Sequence, residues 1–434
     1  MGERRVVITG LGVVAPNGIG LPAFETALRT GRSGIRYQEK MAELQFGCQV
    51  GGVPIVSEEL KHQYFSELTV KRLSADGVVY GCIAGADAWT DAGLPLLALD
   101  AETPDWDSGC IMGTGLAGTD PIRDSIYHID AGNAKRLGSS FIQQSMPSGV
   151  SAYLAGTIGL GNQNTTNASA CSTGTEAILM GYERIRAGKA LRMVCGGTDS
   201  ASPYLWAGFD AMRVLTRKSN DRPEEASRPL SASAMGFVPG GGAAAVLLED
   251  LETALARGAR IYAELLGGYV NSGGQRNGGT MTAPNREGIR RCIQGALTHT
   301  GVAAADIDAI SGHLTATMLD TVEVGLWAEG LGRFGSDFPY INALKSMTGH
   351  CLSAAGAIEA VAAALQVHQG FLHPSINCDD LHPEIEAVIS ADRIPKQALS
   401  TDIRIMASSS FGFGDANSII IFKQFDQHGQ ETGN

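Results

Sequence analysis

The sequence lacks long apolar runs, paired cysteines and an excess of basic residues. No segment approaches the roughly 20 uninterrupted apolar residues that a membrane helix needs, and the N-terminus shows neither an apolar stretch nor a small-residue cleavage site. The eight cysteines are scattered, without C-x-x-C pairs or zinc-type spacing. We therefore expect no membrane association and no metal site, and a reducing cytoplasm is the simplest compartment.

Charge is also scarce and unbalanced. Only 18% of the 434 residues are charged, and the net charge is −12, which argues against nonspecific nucleic-acid binding. An acidic protein partner would be repelled overall, so a docking site for one must be a local basic patch. Glycine is abundant, at 56 residues, which is typical of tightly packed α/β architecture rather than of disorder.

Short β-rich runs alternate with helical patterns along the whole chain. This alternation predicts largely parallel sheets sandwiched by helices, with a second strand–helix cycle that begins near residue 260. The predicted strands cover 6–9, 109–112, 192–195, 243–249, 260–266, 309–311 and 417–422. The predicted helices cover 21–30, 75–92, 175–187, 251–257, 287–300, 322–330 and 354–369.

One cysteine occupies a position that favours reactivity. Cys171 lies in N-A-S-A-C-S-T-G-T-E-A, where a run of small residues gives way to a helical pattern carried by Ala177, Ile178, Gly181 and Ile185. The unpaired N–H groups of a helix's first turn stabilise a thiolate. We expect Cys171 to be a nucleophile, whereas the other seven cysteines are better interpreted as buried and inert.

Two histidines and a lysine accompany this cysteine in the pattern. His313 lies in G-H-L-T-A-T after a predicted strand, and Lys345 and His350 lie in K-S-M-T-G-H ahead of an alanine-rich helix. Both histidines are therefore at the ends of strands or helices, where α/β folds place their sites. The remaining seven histidines are interpreted as packing or surface residues.

A glycine pattern near the N-terminus has the spacing of a dinucleotide-binding motif. G-L-G-V-V-A at 10–15 follows a strand, but Pro16 interrupts, and the helix starts only after Asn17 and Gly18. The glycines therefore do not open a helix for a pyrophosphate, and we expect no nucleotide cofactor here.

The ordered motifs together resemble the β-ketoacyl-acyl-carrier-protein synthases, the condensing enzymes of fatty-acid and polyketide assembly. The resemblance runs from R-R-V-V-I-T-G-L-G-V-V-A-P at 4–16 to S-S-F-G-F-G-D-A-N at 409–417. It implies an α/β thiolase-like fold, in which two similar βα halves form a five-layer αβαβα sandwich. The halves would be 1–257, with the nucleophile, and 258–425, with the histidines, followed by a frayed tail at 426–434.

The resemblance also implies the chemistry of the site. Cys171 would accept an acyl group, His313 and His350 would hold the enolate of a decarboxylating malonyl thioester, and Lys345 and Glu359 would form a buried pair beside them. The N–H groups of Cys171 and Phe413 would form the oxyanion hole. No metal or redox cofactor is implied, because the substrates arrive on the phosphopantetheine of an acyl carrier protein and loss of carbon dioxide generates the carbon nucleophile.

Further positions take their roles from the same resemblance. The implied gating loop consists of Phe411, Gly412, Phe413 and Gly414, whose glycines allow the backbone to flip. The implied substrate-binding residues are Leu116, facing an acyl tunnel near a dimer interface, with Thr282, Thr315 and Thr317. The implied carrier-docking residues are Lys71, Arg72 and Arg213.

Three departures from the family pattern set this chain apart. In the histidine loop, Leu314 replaces a glycine, and one residue fewer precedes Asp320. A charged segment of the family is replaced by S-A-S-A-M-G at 231–236, and Gly241 stands where an acid is usual. After the gating loop, Asp415 replaces a glycine. These changes favour a divergent ketosynthase, which we place with the enzymes that build conjugated polyene chains, over a housekeeping fatty-acid synthase.

Three other protein classes were weighed against an active ketosynthase. A non-catalytic partner subunit of the chain-length-factor type usually lacks the cysteine, so Cys171 argues against it, although such a subunit remains a candidate partner alongside a second copy of the chain. A papain-like hydrolase would carry a different signature around the cysteine. A biosynthetic thiolase would be expected to have a second cysteine in a C-terminal glycine loop, which Cys378 does not provide.

Overall fold

The structure is a computed structural model that describes residues 3–98, 100–138 and 140–426. Apart from Asp426, the tail expected at 426–434 lies outside the described residues. Among the helices described, none is long and apolar enough to cross a membrane.

Fifteen strands follow one another along the described chain. They are β1 (Val6–Ala15), β2 (Gly18–Ile19), β3 (Ile35–Tyr37), β4 (Val50–Gly52), β5 (Ser108–Thr114), β6 (Asn164–Thr165), β7 (Arg192–Asp199), β8 (Gly242–Asp250), β9 (Ala263–Ser272), β10 (Ala309–Ser311), β11 (Tyr340–Asn342), β12 (Phe371–Leu372), β13 (Leu399–Ser400), β14 (Ile405–Gly412) and β15 (Ala416–Lys423).

Sixteen α-helices lie among these strands in the described residues. They are α1 (Leu21–Thr30), α2 (Glu39–Glu43), α3 (Glu58–Tyr64), α4 (Glu67–Arg72), α5 (Asp76–Asp91), α6 (Thr119–Asp130), α7 (Phe141–Ser145), α8 (Gly149–Ile158), α9 (Thr173–Arg186), α10 (Pro203–Ala211), α11 (Leu251–Ala256), α12 (Arg286–Thr300), α13 (Leu319–Leu331), α14 (Lys345–Thr348), α15 (Ala355–Gln369) and α16 (Pro383–Glu386).

The large sheet has eleven strands, which are two five-stranded groups with the same internal order and β2, which pairs with β1. The first runs β6-β5-β7-β8-β1 and the second β11-β10-β14-β15-β9. In each group the first three strands are parallel and the last two pairings are antiparallel. An antiparallel pairing of β1 with β9 joins the two groups. The expectation of largely parallel sheets is therefore wrong, because β8 and β15 each run antiparallel to both of their neighbours.

Helices form the layers above, between and below the two groups. α5 and α8 pack on the outer side of the first group, α9 and α15 lie between the groups, and α12 and α13 cover the second. α15 is buried from Ala355 to Val367, as expected of a helix that is apolar on all sides. These five layers are those of the thiolase-like fold. The boundary near residue 257 stays a prediction.

The glycines of the N-terminal pattern serve packing. Gly10 and Gly12 both lie inside β1, and a Cβ added to either would overlap a main-chain carbonyl oxygen of α5, that of Ala88 or of Ala84. Since β1 continues to Ala15 without opening a helix, the pattern holds a helix close to a strand and presents no amides to a nucleotide.

We predict that Gly12→Ala destabilises the protein through this contact. An overpacked core typically costs about 1–3 kcal/mol, and here the added carbon meets main chain, which has little freedom to move. Urea unfolding followed by circular dichroism measures the change. Gly156→Ala in α8 is the matched control, because an added Cβ there meets nothing within 4 Å; equal stability of the two variants would contradict the packing argument.

Candidate active site

Cys171 is held in a tight turn immediately before α9. Ala170 has a left-handed φ of 50°, a conformation that costs energy in a residue with a side chain. The hydroxyl of Thr173 holds the turn by donating to the carbonyl of Ala170 at 2.6 Å and accepting from the Ser169 N–H at 2.8 Å. The neighbouring Ser172 hydroxyl lies 3.0 Å from the Ser410 carbonyl oxygen, so the nucleophile segment is anchored to β14 of the other group.

His350 is the histidine next to the sulfur. Its Nε2 lies 3.1 Å from the Sγ of Cys171, and its ring packs edge-on against Phe237 at 5.2 Å. The N–H of Leu352 points to Nδ1 at 3.3 Å. Because Nδ1 accepts this hydrogen bond, a neutral His350 carries its proton on Nε2, facing the sulfur.

His313 completes the pair from the second group of strands. The two imidazole rings are 5.4 Å apart and nearly perpendicular. The ammonium of Lys345 lies 3.4 Å from Nδ1 of His313 and can only donate, so His313 also carries its proton on Nε2. The site thus offers two N–H donors beside Cys171.

Two buried carboxylates shape the loop that carries His313. Glu323 accepts the N–H groups of His313 and Leu314 at 2.7 and 2.9 Å, and Asp320 accepts those of Thr315 and Ala316 at 2.8 and 3.1 Å. Burial raises the pKa of Asp320 to about 6 and that of Glu323 to about 7, against the effect of these hydrogen bonds. The sequence signal for these two carboxylates is the D-x-x-E pattern just after the histidine loop, for which no role is predicted above.

Lys345 supplies the positive charge of the site. It is buried and forms an ion pair with the equally buried Glu359. Burial lowers the pKa of His313 and His350 well below the usual range, and the charge of Lys345 lowers both further. Both imidazoles are therefore neutral near pH 7. Burial also raises the pKa of Glu359 to about 7, while Lys345 acts in the opposite direction.

The protonation state of Cys171 differs from the sequence-based expectation. Burial raises the pKa of its thiol to about 11, and the charge of Lys345 and the N–H of Phe413 offset this only in part. The expectation of a stabilised thiolate is therefore wrong for the free protein, because the helix-start argument omitted the cost of desolvation. What sets Cys171 apart is access: it is partly exposed, whereas the other seven cysteines are buried.

A cavity of about 570 Å³ opens onto the sulfur. This volume suits a small molecule or an extended acyl or pantetheine arm. Its walls include the site residues Cys171, His313 and His350, three of the four gating-loop residues, the three predicted substrate threonines and Arg213. The residues that line the cavity include Cys171, Met281, Thr282, Ala283, Pro284, His313, Thr315, Thr317, His350, Phe411, Gly412, Phe413 and Arg213.

The gating loop lies directly against the nucleophile. A Cβ added to Gly412 would be 3.0 Å from the main-chain N of Cys171, and the ring of Phe413 packs on Phe209 at 5.9 Å. Gly414 has a left-handed φ of 81°, which glycine adopts at little cost. The loop is thus close enough to Cys171 to control access to it.

Some predicted site residues lie outside this cavity. Leu116 is not part of its wall; its side chain is 48% exposed, and its N–H donates to Asp199. Lys71 and Arg72 are exposed at the end of α4, where Lys71 pairs with Glu67, and neither lines the cavity. Of the three predicted docking residues, Arg213 alone reaches its wall.

The side chains of the nucleophile and the two site histidines also have the geometry of a metal-binding cluster. The ligand atoms of Cys171, His313 and His350 lie within 4.8 Å of one another, and zinc accepts such sulfur and nitrogen donors. A protonated thiol is a poor ligand, however, since zinc binds the thiolate. A metal bound at this cluster would therefore have to displace the thiol proton, whose pKa is raised by burial.

Known proteins resemble this chain over nearly its whole length. Residues 3–254 match the family described as "Beta-ketoacyl synthase, N-terminal domain", and residues 262–379 match "Beta-ketoacyl synthase, C-terminal domain". The 3-oxoacyl-[acyl-carrier-protein] synthase 2 of Rhizobium meliloti (strain 1021) is 35% identical over 436 residues, covering 98% of this chain and 100% of the relative.

Two solved structures are also similar. The ishigamide ketosynthase/chain length factor superposes with a TM-score of 0.86 at 29% identity, covering 98% of this chain and 100% of that one. A type II polyketide ketosynthase in complex with its acyl-carrier protein gives a TM-score of 0.84 at 27% identity, with 98% of this chain and 100% of that chain covered.

A thiolase-like fold in which a cysteine and two neutral histidines line one cavity, with a buried lysine beside one of the histidines, defines a condensing enzyme. The matches over both halves make the assignment specific: the chain belongs to the beta-ketoacyl synthase family.

We predict that Cys171 reacts fastest of the eight cysteines with iodoacetamide and that its rate rises from pH 7 to pH 10. A thiol with a pKa near 11 is mostly protonated at neutral pH, so each rise in pH increases the reactive thiolate fraction. Peptide mapping by mass spectrometry measures each site, with buried Cys195 as the internal control. A rate that levels off below pH 8 would show that the thiol is more acidic than its burial implies.

Proposed function

We propose that the chain condenses an acyl group held on Cys171 with malonyl-acyl-carrier protein to give 3-oxoacyl-acyl-carrier protein and carbon dioxide. The observation that carries this proposal is the pair of buried imidazoles beside a partly accessible thiol, each with its Nδ1 facing an N–H donor, which assigns the proton of each neutral ring to Nε2. Two donors and one nucleophile match a reaction that must stabilise an enolate and hold an acyl group at the same place.

The first half-reaction transfers the acyl group. The sulfur of Cys171 attacks the thioester carbonyl of the acyl carrier, a new S–C bond forms, and the carrier leaves as a free thiol that takes up the proton. His350 does not act as the base in this step, because its Nδ1 is occupied as an acceptor and its Nε2 already bears a hydrogen. It stabilises negative charge on the sulfur by donating to it.

The second half-reaction breaks the bond between the malonyl carboxylate and its methylene carbon. Carbon dioxide leaves, and the electron pair is delocalised onto the thioester oxygen as an enolate. The Nε2–H groups of His313 and His350 donate to this oxygen, and the nearby charge of Lys345 favours the anion. The enolate carbon then attacks the acyl-Cys171 carbonyl, whose oxyanion is held by the N–H groups of Cys171 and Phe413. The sulfur is expelled as a thiolate, which takes up a proton from solvent and regenerates the thiol.

This sequence of steps needs no metal and no redox cofactor, since the departing carboxylate leaves the bonding electrons behind. The substrates are carried by the phosphopantetheine of the carrier protein. Thr282, Thr315 and Thr317 line the cavity, where their hydroxyls are available to the amides of that arm. Of the proposed docking residues, Arg213 lines the same cavity, whereas Lys71 and Arg72 lie outside it.

A polyene or polyketide pathway accounts for the departures from the family pattern better than housekeeping fatty-acid elongation. Residues 234–236 of the uncharged segment line the cavity and Asp415 directly follows the gating loop, whereas Leu314 and Gly241 are buried outside the cavity wall. The catalytic groups are all retained. The similarity to the ishigamide and type II polyketide structures supports this placing. Retention of Cys171 and both histidines counts against a non-catalytic chain-length-factor role.

A dimer, either with a second copy or with a chain-length-factor-like subunit, explains an apolar surface on α6 and α7. Ile126, Tyr127, Ile129 and Ile142 are 48–63% exposed, which is unusual for large side chains grouped on two contacting helices. Leu116, just before α6, is also exposed, which is compatible with the role at a dimer interface that the family resemblance implies for it. The free cysteines are compatible with a cytoplasmic location.

We predict that His313→Ala and His350→Ala each slow malonyl decarboxylation about a hundred- to a thousandfold, the usual effect of removing one oxyanion donor. Carbon dioxide release from malonyl carrier protein, measured without an acyl primer, isolates this step. His299→Ala, outside the cavity, is the control. Decarboxylation at the wild-type rate in both site variants, with loss of acyl transfer alone, would reject the assignment of the enolate to the histidines.

We predict that light scattering gives about twice the 45.4 kDa chain mass, because burying the α6–α7 surface removes apolar area from water. Ile142→Glu should shift the protein toward monomer, whereas Met318→Glu, an exposed apolar position away from this surface, should not. A stable and active monomer at micromolar concentration would contradict the dimer.

A further inference from the structure

Leu352, two residues after His350, has a backbone conformation that is costly for leucine. Its φ is 50°, in the left-handed region that favours glycine, and it is only 6% exposed. Its N–H points to Nδ1 of His350 at 3.3 Å. A strained conformation persists only where its surroundings hold it. The groups that hold this turn therefore also hold the donor that keeps the proton of His350 on Nε2.

The buried carboxylate of Asp199 holds the far side of this turn. Asp199 is the last residue of β7 and is 2% exposed. Its Oδ2 accepts the N–H of Ser353, the residue after Leu352, at 3.0 Å, and its Oδ1 accepts the N–H of Leu116 at 2.9 Å. The carboxylate thus ties the turn 351–353 to the end of β7 and to the loop that precedes α6.

Two glycines leave room for this arrangement. A Cβ added to Gly115 would lie 2.8 Å from Oγ of Ser353 and 3.1 Å from Oδ2 of Asp199. A Cβ added to Gly197, inside β7, would lie 2.5 Å from the carbonyl oxygen of Ser353. The turn therefore packs against β7 at main-chain distance, as is typical where a glycine in a strand lets another backbone approach.

The main chain of His350 is held separately, by a different segment. Its N–H donates to the carbonyl of Val238 at 2.7 Å, and its carbonyl accepts the N–H of Gly240 at 2.9 Å. Loss of the Asp199 carboxylate would thus leave His350 in place but release the turn that carries the donor to Nδ1. Without that donor, Nδ1 can take the proton, and Nε2 would then face the site as an acceptor.

We propose that Asp199 is a positioning residue that acts through His350: by holding the strained turn 351–353, it keeps the proton of His350 on Nε2, where the N–H can donate to the enolate oxygen. The inference rests on the proposed function, since it takes His350 as an enolate donor. It assigns a role in the malonyl half-reaction to a side chain that does not line the cavity.

The test measures decarboxylation of malonyl carrier protein, without an acyl primer, in variants of Asp199. Asp199→Ala removes both acceptors, and Asp199→Asn keeps the shape of the side chain and one oxygen acceptor. Asp308→Asn is the matched control, because Asp308 also accepts two main-chain N–H groups, at 2.8 and 2.9 Å, but lies outside the cavity wall. Thermal unfolding is followed for every variant, and Asp199→Asn carries all comparisons if Asp199→Ala does not fold.

The expected change is a lower kcat at constant KM. In Asp199→Ala, kcat should fall about tenfold, the fold-change expected for the loss of one hydrogen bond to a buried group. KM for malonyl carrier protein should be unchanged, because the lost donor acts only on the enolate that forms during the reaction. Asp199→Asn should lie between Asp199→Ala and the wild type, and Asp308→Asn should match the wild type.

The two histidine variants show whether Asp199 acts through His350. In His350→Ala the donor is already missing, so the addition of Asp199→Ala should cause no further loss of rate. In His313→Ala the donor of His350 is still present, so Asp199→Ala should again cost about tenfold. General damage to the site would instead lower the rate by the same factor in both backgrounds.

The tautomer can also be observed directly. Two-bond ¹⁵N–¹H spectra of protein labelled with ¹⁵N-histidine separate a protonated ring nitrogen from an unprotonated one, and the His350 signal is the one missing from His350→Ala. This signal should show the proton on Nε2 in the wild type and in Asp308→Asn. In Asp199→Ala it should show a mixture of the two tautomers.

The role of Asp199 is overturned if Asp199→Ala slows both histidine variants by the same factor, if it raises KM without lowering kcat, or if His350 keeps its proton wholly on Nε2 in that variant. Decarboxylation at the wild-type rate in both His313→Ala and His350→Ala would instead reject the proposed function. In that case the spectrum of Asp199→Ala still decides the structural step, because the tautomer is observed without any reaction.

Discussion

The close approach of α9 and α15 is the constraint on which the site depends. A Cβ added to Gly174 would lie 2.7 Å from the main-chain N of Ala357, and one added to Gly356 would overlap the hydroxyl of Thr175. The two helices therefore meet near their N-termini through backbone and small atoms. Because Cys171 immediately precedes one helix and His350 precedes the other, this contact sets the 3.1 Å distance between Sγ and Nε2.

Burial then dictates the charge state of every group near that contact. Desolvation disfavours any charged form, so the thiol and both imidazoles are neutral, and the single ammonium of Lys345 is balanced by Glu359. Without substrate, the site therefore has almost no net charge. The Lys345 ammonium and the preorganised N–H donors can nevertheless stabilise an anion that forms there. This arrangement favours a reaction whose negative charge appears only in the transition state and in short-lived intermediates.

The helices of the centre were predictable because their sequence patterns are strong. The periodicity at 175–187 and the apolar run at 354–369 located α9 and α15 to within two residues, and the apolar setting of Glu359 indicated a buried partner. The strand β14 was not predicted, because its buried core is the serine run Ser408 to Ser410, which no hydrophobic pattern reveals. The antiparallel returns of the sheet and the thiol pKa depend on tertiary packing, which local patterns do not report.

The division of the site between two groups of strands separates its two chemical tasks. Cys171 belongs to the first group, whereas His313, His350 and Lys345 follow strands and turns of the second. A change in the packing of α9 against α15 therefore alters the distance between the Cys171 sulfur and the His350 imidazole. It leaves the distance between His313 and Lys345 unchanged. Loss of acyl transfer with retained decarboxylation is thus the expected signature of damage at this contact. A substitution that disturbs the His313 loop, which Glu323 and Asp320 hold, is expected to weaken stabilisation of the enolate and to slow decarboxylation instead.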